Sequence, residues 1–231
     1  MIRPLLFVGT LAGAAAVYAS LADINLRVIP TQGTFYEYKM TGTMSMANTE
    51  VKVGMSVTEK ITKTTEEGWI VEVTQEEGVI EYNGEQEQMP SMKQTVTYNL
   101  DGTIKEIVAP EQDANTYRLS QFSTVYRPEE KMKLDVPVTF EYEADASKGT
   151  PAATGTYTYV ADEKFKTLDT WKITFSYKET EGETPASNTG TFWLQKDTGI
   201  LVKYEQNWVN APISMGSTVN GKFTTELVVP E

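Results

Sequence analysis

The chain has 231 residues and a formal net charge of −12, and it contains neither cysteine nor histidine. The missing cysteine excludes disulfides and thiolate metal sites, and the missing histidine removes the commonest general base and metal ligand. The negative charge, without a basic stripe to displace counterions, excludes nucleic acid as a partner. The carboxylates concentrate in turns and on polar strand faces, as on a solvated surface rather than in a glycosidase cleft. We therefore predict no enzyme, catalytic residue, metal site or cofactor.

Residues 1–22 have the pattern of a secretory signal peptide. Arg3 precedes an apolar, alanine-rich run from Leu5 to Val17, and two triplets of the small-x-small type end at Ala19 and Ala22. The run is shorter than the roughly 20 residues that span a bilayer, so a retained anchor is the weaker alternative. We predict cleavage after Ala22, or else after Ala19. The mature protein is then exported to the periplasm or the outside of a bacterial cell, without stable membrane insertion.

The remaining chain is dominated by strand patterns. Apolar and polar residues alternate with period two from Tyr36 to Met46, and the alternation returns around Trp69, between Thr95 and Leu100, and after Trp171. Turn sequences separate these runs, and they are Asn83-Gly84, Asp101-Gly102, Asp197-Thr198-Gly199 and Asn220-Gly221. The pattern predicts an all-β antiparallel meander of about 10–12 strands, folded as a curled sheet or a barrel-like sandwich.

Landmarks in the first half recur in the second half in the same order. The matched pairs are Tyr36 and Phe140, Gly54 and Gly155, Trp69 and Trp171, and the turns Asp101-Gly102 and Asp197-Thr198-Gly199. Such conserved order at an offset of roughly 100 residues indicates a duplicated β-unit. We predict a first β repeat over residues 23–109, a linker with a short helix over 110–133, and a second repeat over 134–231, within one compact domain of two pseudo-repeated halves.

The candidate ligand-binding residues belong to one face of the first long strand and to its counterpart in the second half. We call this set the predicted apolar face, and its members are Tyr36, Tyr38, Met40, Met44, Met46, Phe140 and Tyr142. Side chains two apart in a strand point the same way, so the five from the first strand share one surface. Three interpretations stay open: plain core, a pliable apolar cavity, or thioether ligands for Cu(I).

The tryptophans are assigned from their positions. Trp69 and Trp171 hold matched places in the two halves and are predicted to anchor the core of each half. Trp208 has few apolar neighbours in the sequence, so it is predicted to be partly exposed near a rim.

Two stretches resemble known exported proteins. The opening Leu26-Arg27-Val28, Gly33 and Tyr36-Glu37-Tyr38 resembles exported bacterial β-sheet proteins of unknown function. The hairpin from Phe192 to Tyr204 is similar to that of lipoprotein carriers of the LolA/LolB type and their mycobacterial lipid-binding relatives. In those proteins a curled antiparallel sheet holds acyl chains against its concave face. The resemblance therefore implies a binding or carrier protein for an apolar, lipid-like small molecule.

The alternative function is a structural or assembly protein of the cell envelope, whose partner is another envelope protein. The interior of the sheet distinguishes the two functions. A cavity of roughly 300 Å³ or more favours a carrier, because ligand pockets have at least this volume, whereas a filled core favours the structural role.

Overall fold

The computed structural model of the protein describes residues 23–46, 49–76, 78–110, 115–213 and 217–229, without the side chain of Met46. The predicted signal peptide, residues 1–22, lies outside the described residues. Over the described ranges, no helix has the length and apolar character needed to cross a membrane.

The described residues form thirteen strands and one helix, so the predicted all-β antiparallel meander is confirmed. The strand count is one above the predicted range. The elements are β1 (Phe35–Met46), β2 (Thr49–Thr65), β3 (Gly68–Gln75), β4 (Gly78–Tyr82), β5 (Glu85–Met89), β6 (Met92–Asn99), β7 (Ile104–Val108), α1 (Thr116–Ser123), β8 (Pro137–Tyr142), β9 (Ala153–Phe165), β10 (Leu168–Glu179), β11 (Ser187–Gln195), β12 (Leu201–Pro212) and β13 (Thr218–Leu227).

All strands belong to one sheet in the order β7-β6-β3-β2-β1-β13-β12-β11-β10-β9-β8, and the hairpin β4–β5 pairs with the start of β2. The first and last strands meet in its middle, where β1 and β13 pair from Tyr38 opposite Leu227 to Ser45 opposite Asn220. The sheet is curled and not closed, since no pairing joins β7 to β8 within the described residues. The chain between β7 and β8 must therefore cross from one outer edge to the other.

The helix α1 lies in this crossing segment and is fixed to the second half of the sheet. Arg118 donates from Nε and Nη2 to the carboxylate of Glu179, at 2.7 and 2.6 Å, and the Glu179 side chain is fully buried at the end of β10. The amide of Ala186 also donates to Glu179 Oε2, at 2.6 Å. On the same helix, Phe122 is buried with its ring centroid 5.5 Å from that of Trp208. A charge-assisted bidentate pair and an aromatic contact thus hold α1 over the concave face.

The two halves carry β-bulges at corresponding places. In β2 the extra residue is Thr62, opposite the two residues that follow Trp69 in β3. In β9 it is Val160, opposite the two residues that follow Trp171 in β10. A bulge is a specific irregularity of the ladder, so its recurrence at the same distance from a tryptophan is what a duplicated unit would retain.

A second pair of bulges follows the same rule. Lys105 is the extra residue of β7 opposite the end of β6, and Val202 is the extra residue of β12 opposite the end of β11. Beside these bulges, Tyr98 stands opposite Trp69 in the first half, and Leu194 stands opposite Trp171 in the second. These matches support the duplication, while the superposition of the two halves stays a prediction.

The register requires one adjustment to the predicted correspondence. Phe140 stands opposite Gly155, whereas Gly54 stands opposite Thr41, so Gly54 and Gly155 do not hold equivalent places. When the halves are aligned on their bulges, Val57 takes the place of Gly155. Its partner in β1 is Tyr38, which therefore corresponds to Phe140, two residues further along the same strand face than Tyr36.

Two local predictions are wrong. Asn220-Gly221 is not a hairpin turn but lies inside β13, where a Cβ on Gly221 would come within 2.8 Å of the Phe223 ring and of the Thr43 carbonyl oxygen. The glycine thus permits a close approach of neighbouring strands rather than a turn. Trp208 is not at an exposed rim, because Phe122 and Phe223 cover it and leave it 8% exposed.

Candidate functional site

A cavity of about 380 Å³ lies on the concave side of the first half of the sheet. Its floor consists of inward-facing residues of β1, β2, β3 and β6, which are mostly valines and tyrosines. The end of α1 and residues 123–127 cover it, and inward-facing residues of β12 close one side. The cavity exists because the crossing segment passes over the sheet without filling the space beneath it.

Three members of the predicted apolar face line this cavity, namely Tyr36, Tyr38 and Met40. Met44, on the same side of β1, does not line the cavity, and it packs, as Met40 also does, against the cluster that contains Trp208 and Phe223. The side chain of Met46 lies outside the described residues.

The other two members lie in the second half of the sheet, away from the cavity. Phe140 stacks on Tyr126 with centroids 4.2 Å apart, and Tyr142 meets the same ring edge-on at 5.8 Å. Both therefore belong to an aromatic cluster, at whose edge Tyr142 lines a second cavity of about 270 Å³, and the structure does not bring them together with Tyr36, Tyr38 and Met40. That the predicted apolar face binds a ligand stays a prediction.

Side-chain size at corresponding positions explains why this cavity lies in the first half. The pair Tyr157 and Phe175 of β9 and β10 occupies the sheet positions that Glu59 and Val73 occupy in β2 and β3. Phe192 of β11 likewise corresponds to Val96 of β6, as judged from their partners across the sheet. Three aromatic rings of the second half are thus replaced by two valines and a glutamate in the first half.

Chain segments outside the sheet increase this difference. Ile24 and Leu26, which precede β1, and Met132, which precedes β8, are buried against the inner face of the second half. Ile24 and Met132 also form a backbone bridge. The N-terminal segment and the linker therefore fill the second half, and the first half keeps its cavity.

Glu59 is the acidic group of the cavity. It occupies the apolar side of β2, in phase with Val57 and Ile61, and it faces the cavity. Protein surrounds it, and burial raises its pKa to about 7, against a smaller lowering by the positive charge of Arg127. Among the described residues, no hydrogen-bond or ion-pair partner contacts its carboxyl group. It retains some accessible surface because it faces an internal space.

The sequence contained the signal for Glu59. The alternation Val51, Val53, Met55, Val57 in β2 continues at Glu59 and returns to an apolar residue at Ile61. A charged residue at an inward position of an amphipathic strand is costly to bury, so it indicates a functional or paired group. The general assignment of the carboxylates to turns and polar strand faces therefore does not hold for Glu59.

Arg127 is the basic group of the cavity and comes from the crossing segment. Its guanidinium lies over the Trp69 ring, with Cζ 4.7 Å from the centroid, and it donates to the carbonyl oxygens of Val28 and Gly199. Burial lowers its pKa to about 10, so it remains charged at neutral pH. The described residues provide no carboxylate within ion-pair distance of it. The sequence offered no pattern for Arg127, because it lies outside any strand.

A neutral polar group lies on the wall of the cavity at Gln206 of β12. Its Oε1 accepts hydrogen bonds from Trp208 Nε1 and from Asn188 Nδ2, each at 2.9 Å. Asn188 donates further to the carbonyl oxygen of Phe122 in α1, at 3.1 Å, while its own buried Oδ1 has no partner among the described residues. This network joins the helix over the cavity to β11 and β12.

Comparisons with known proteins give little information about this site. No family model matches the chain, and no curated protein matches it. A solved structure of a "putative lipoprotein" from Parabacteroides distasonis matches 89% of this chain and 98% of its own, with 13% identity and a TM-score of 0.33. This TM-score is too low to support an argument about fold or function. The resemblance to LolA/LolB-type carriers accordingly stays a prediction.

Proposed function

We propose that the protein is an exported, non-enzymatic binding or carrier protein, and that the cavity of the first half holds the apolar part of a lipid-like ligand. The observation that carries the proposal is the cavity itself. Its volume of about 380 Å³ lies in the range of small-molecule sites, which begin at roughly 300 Å³, and not in that of packing defects. The proposed export rests on the signal-peptide pattern of residues 1–22.

The lining of the cavity suits a flexible apolar ligand. Val57, Ile61, Val71 and Val96 supply an aliphatic floor, and Met40 adds a side chain that adapts to irregular shapes. An alkyl chain placed there gains the free energy of removing its surface from water, at about 25 cal/mol per Å². Polar groups also line the cavity, and two of them, Glu59 and Arg127, are ionisable and can set the orientation of an apolar ligand.

Binding of a fluorescent fatty acid tests the proposal. We expect saturable, micromolar binding by the wild type and its loss in Met40→Glu, since a carboxylate would then occupy the cavity. Met92→Glu is the matched control, because Met92 is 44% exposed on β6 and does not line the cavity. Circular dichroism and thermal unfolding establish that both variants fold. Folded wild type that binds no fatty acid of any chain length contradicts the proposal and favours the structural role in the envelope.

A further inference from the structure

The buried charges of the cavity indicate which chemical group its ligand carries. We infer that the ligand is an anionic amphiphile, with a carboxylate as its polar group, held between Arg127 and a protonated Glu59, and that binding at a pH where free Glu59 is ionised takes up one proton from solvent. The inference rests on the proposed function, because it concerns the polar end of the same ligand.

Arg127 provides the attraction for an anion. Two backbone carbonyls and the face of Trp69 occupy part of its guanidinium, but a guanidinium has five N–H donors, and the side chain lines the cavity. A buried cation without an adjacent carboxylate is costly, and a ligand anion would compensate for it. Arginine also binds planar carboxylates in a bidentate manner, so a carboxylate fits this donor well.

Glu59 provides the coupling to protons. Its carboxyl group faces the cavity, and four groups face it from the neighbouring elements: Tyr36 and Tyr38 of β1, Tyr98 of β6, and Arg127 of the crossing segment. Arg127 is the only one of these four that is charged at neutral pH, because burial raises the pKa of each tyrosine. A carboxylate placed beside ionised Glu59 would be repelled, whereas a protonated Glu59 can donate a hydrogen bond to it.

The proton needed for this hydrogen bond is readily available. Since burial raises the pKa of Glu59 to about 7, its protonated form is well populated at neutral pH. When Glu59 is protonated the cavity carries the charge of Arg127 alone, which attracts an anion and repels a cation. An uncharged alcohol would gain neither the attraction nor the proton coupling. Anion affinity should therefore decline by up to about tenfold per pH unit once the pH exceeds the pKa of Glu59.

Four probes with the same alkyl chain separate the head groups: decanoate, decane-1-sulfonate, decan-1-ol and decyltrimethylammonium. Each is titrated calorimetrically below its micelle concentration or, for the alcohol, below its solubility limit. Between about pH 5.5 and pH 8.5 we expect both anions to bind more tightly than the alcohol at the low end and to lose affinity as the pH rises. The sulfonate is anionic throughout, so its pH dependence reports the protein and not the ligand. The alcohol should show no such dependence, and the ammonium should bind most weakly.

Glu59→Gln is the decisive variant, because glutamine keeps the size and the donor of the protonated acid but cannot ionise. We expect it to bind the sulfonate at pH 8.5 as tightly as the wild type does at pH 5.5, with no pH dependence. Glu50→Gln, on the exposed side of the same strand, should behave as the wild type.

The outcomes separate the two proposals. If none of the four probes binds to the folded wild type, the proposed function and this inference both fail. If the probes bind but the ammonium or the alcohol binds as tightly as the anions, or if Glu59→Gln keeps the wild-type pH dependence, the inference alone is overturned. A pH dependence that Glu50→Gln also removes would likewise overturn it.

Discussion

The two halves of the sheet have corresponding strands and bulges but different interiors. In the second half, the aromatic rings of β9, β10 and β11 interlock, for instance Tyr157 and Phe192 with centroids 5.0 Å apart. In the first half, the corresponding positions hold Glu59 and Val96, and a cavity takes the place of the rings. The backbone pattern is shared, so the choice between core and cavity depends on the size and charge of a few inward side chains.

The segments outside the sheet also differ between the two halves. The N-terminal residues Ile24 and Leu26 insert only into the second half, whereas the first half is covered by α1 and Arg127. The two halves therefore differ in two respects, namely their inward side chains and the connecting segments that cover these side chains.

The largest expected effect on the free energy of unfolding is the loss of an aromatic ring from the second half of the sheet. Phe192→Ala should reduce the free energy of unfolding by about 4 kcal/mol, because it leaves a cavity in a close-packed cluster. Val96→Ala, at the corresponding position, should cost about 2 kcal/mol. It removes two methyl groups rather than a phenyl ring, and it removes them from the wall of an existing cavity. Urea denaturation measures both. Equal losses would contradict the difference in packing between the halves.

The next effect is the release of α1 from the filled half. Arg118→Ala leaves the buried carboxylate of Glu179 without its bidentate partner and should cost about 3 kcal/mol. The helix should then cover the cavity less firmly, and ligand affinity should fall as well. Lys196→Ala is the control, because the Lys196–Asp162 pair is 2.6 Å long but partly exposed, and its loss should cost under about 1 kcal/mol. Similar losses of unfolding free energy in the two variants would contradict the structural role assigned to the Arg118–Glu179 pair.

Sequence patterns predicted the strands of the sheet better than the residues that line the cavity. The alternation of Tyr36, Tyr38 and Met40 gave the strand and its inward face, because period two follows directly from strand geometry. It could not separate Met40, which lines the cavity, from Met44, which does not, because that distinction depends on contacts with elements distant in the sequence.

Contacts between distant segments account for the other residues that the sequence did not identify. Arg127 reaches Val28 and Gly199, which are remote in sequence, so no local pattern marks it. Glu59 was detectable as a charged residue in an apolar phase, but its isolation from any partner required the fold. Asn220-Gly221 has the chemistry of a turn, yet the register of β13 places it inside a strand.

The third effect concerns the charge of Glu59 in the first half of the sheet, and it depends on pH. Burial raises the pKa of Glu59 to about 7, so the native protein keeps a proton that the unfolded chain releases near pH 4.3, the approximate value for free glutamate. Its contribution to stability therefore declines as the pH rises through this interval and is constant above it.

Glu59→Gln should remove that decline. The variant and the wild type should unfold with similar free energies below about pH 4, and the variant should be about 2–3 kcal/mol more stable at pH 8. Parallel urea titrations of the ligand-free proteins measure the difference, with Glu50→Gln as the exposed control. A variant that gains no stability at pH 8 would show that Glu59 is not destabilised by its surroundings.

The smallest expected effect on stability comes from placing a side chain of the second half at the corresponding position of the first half. Val73→Phe introduces the side chain that the corresponding position, Phe175, carries. The ring should enter the cavity and change the free energy of unfolding by less than about 1 kcal/mol, because the gain from burying it offsets the adjustment of its neighbours. A loss of several kcal/mol would mean that no space for a ring exists beside Glu59.

Titration of decanoate into the wild type and Val73→Phe, at about pH 6 where Glu59 is largely protonated, tests the central claim most directly. The account places the alkyl chain of the ligand in the cavity that the new phenyl ring would fill. It predicts saturable binding by the wild type, and at least a tenfold loss of affinity in a variant that unfolds at the same urea concentration. If the folded variant binds decanoate as tightly as the wild type, the ligand does not occupy this cavity and the account is contradicted.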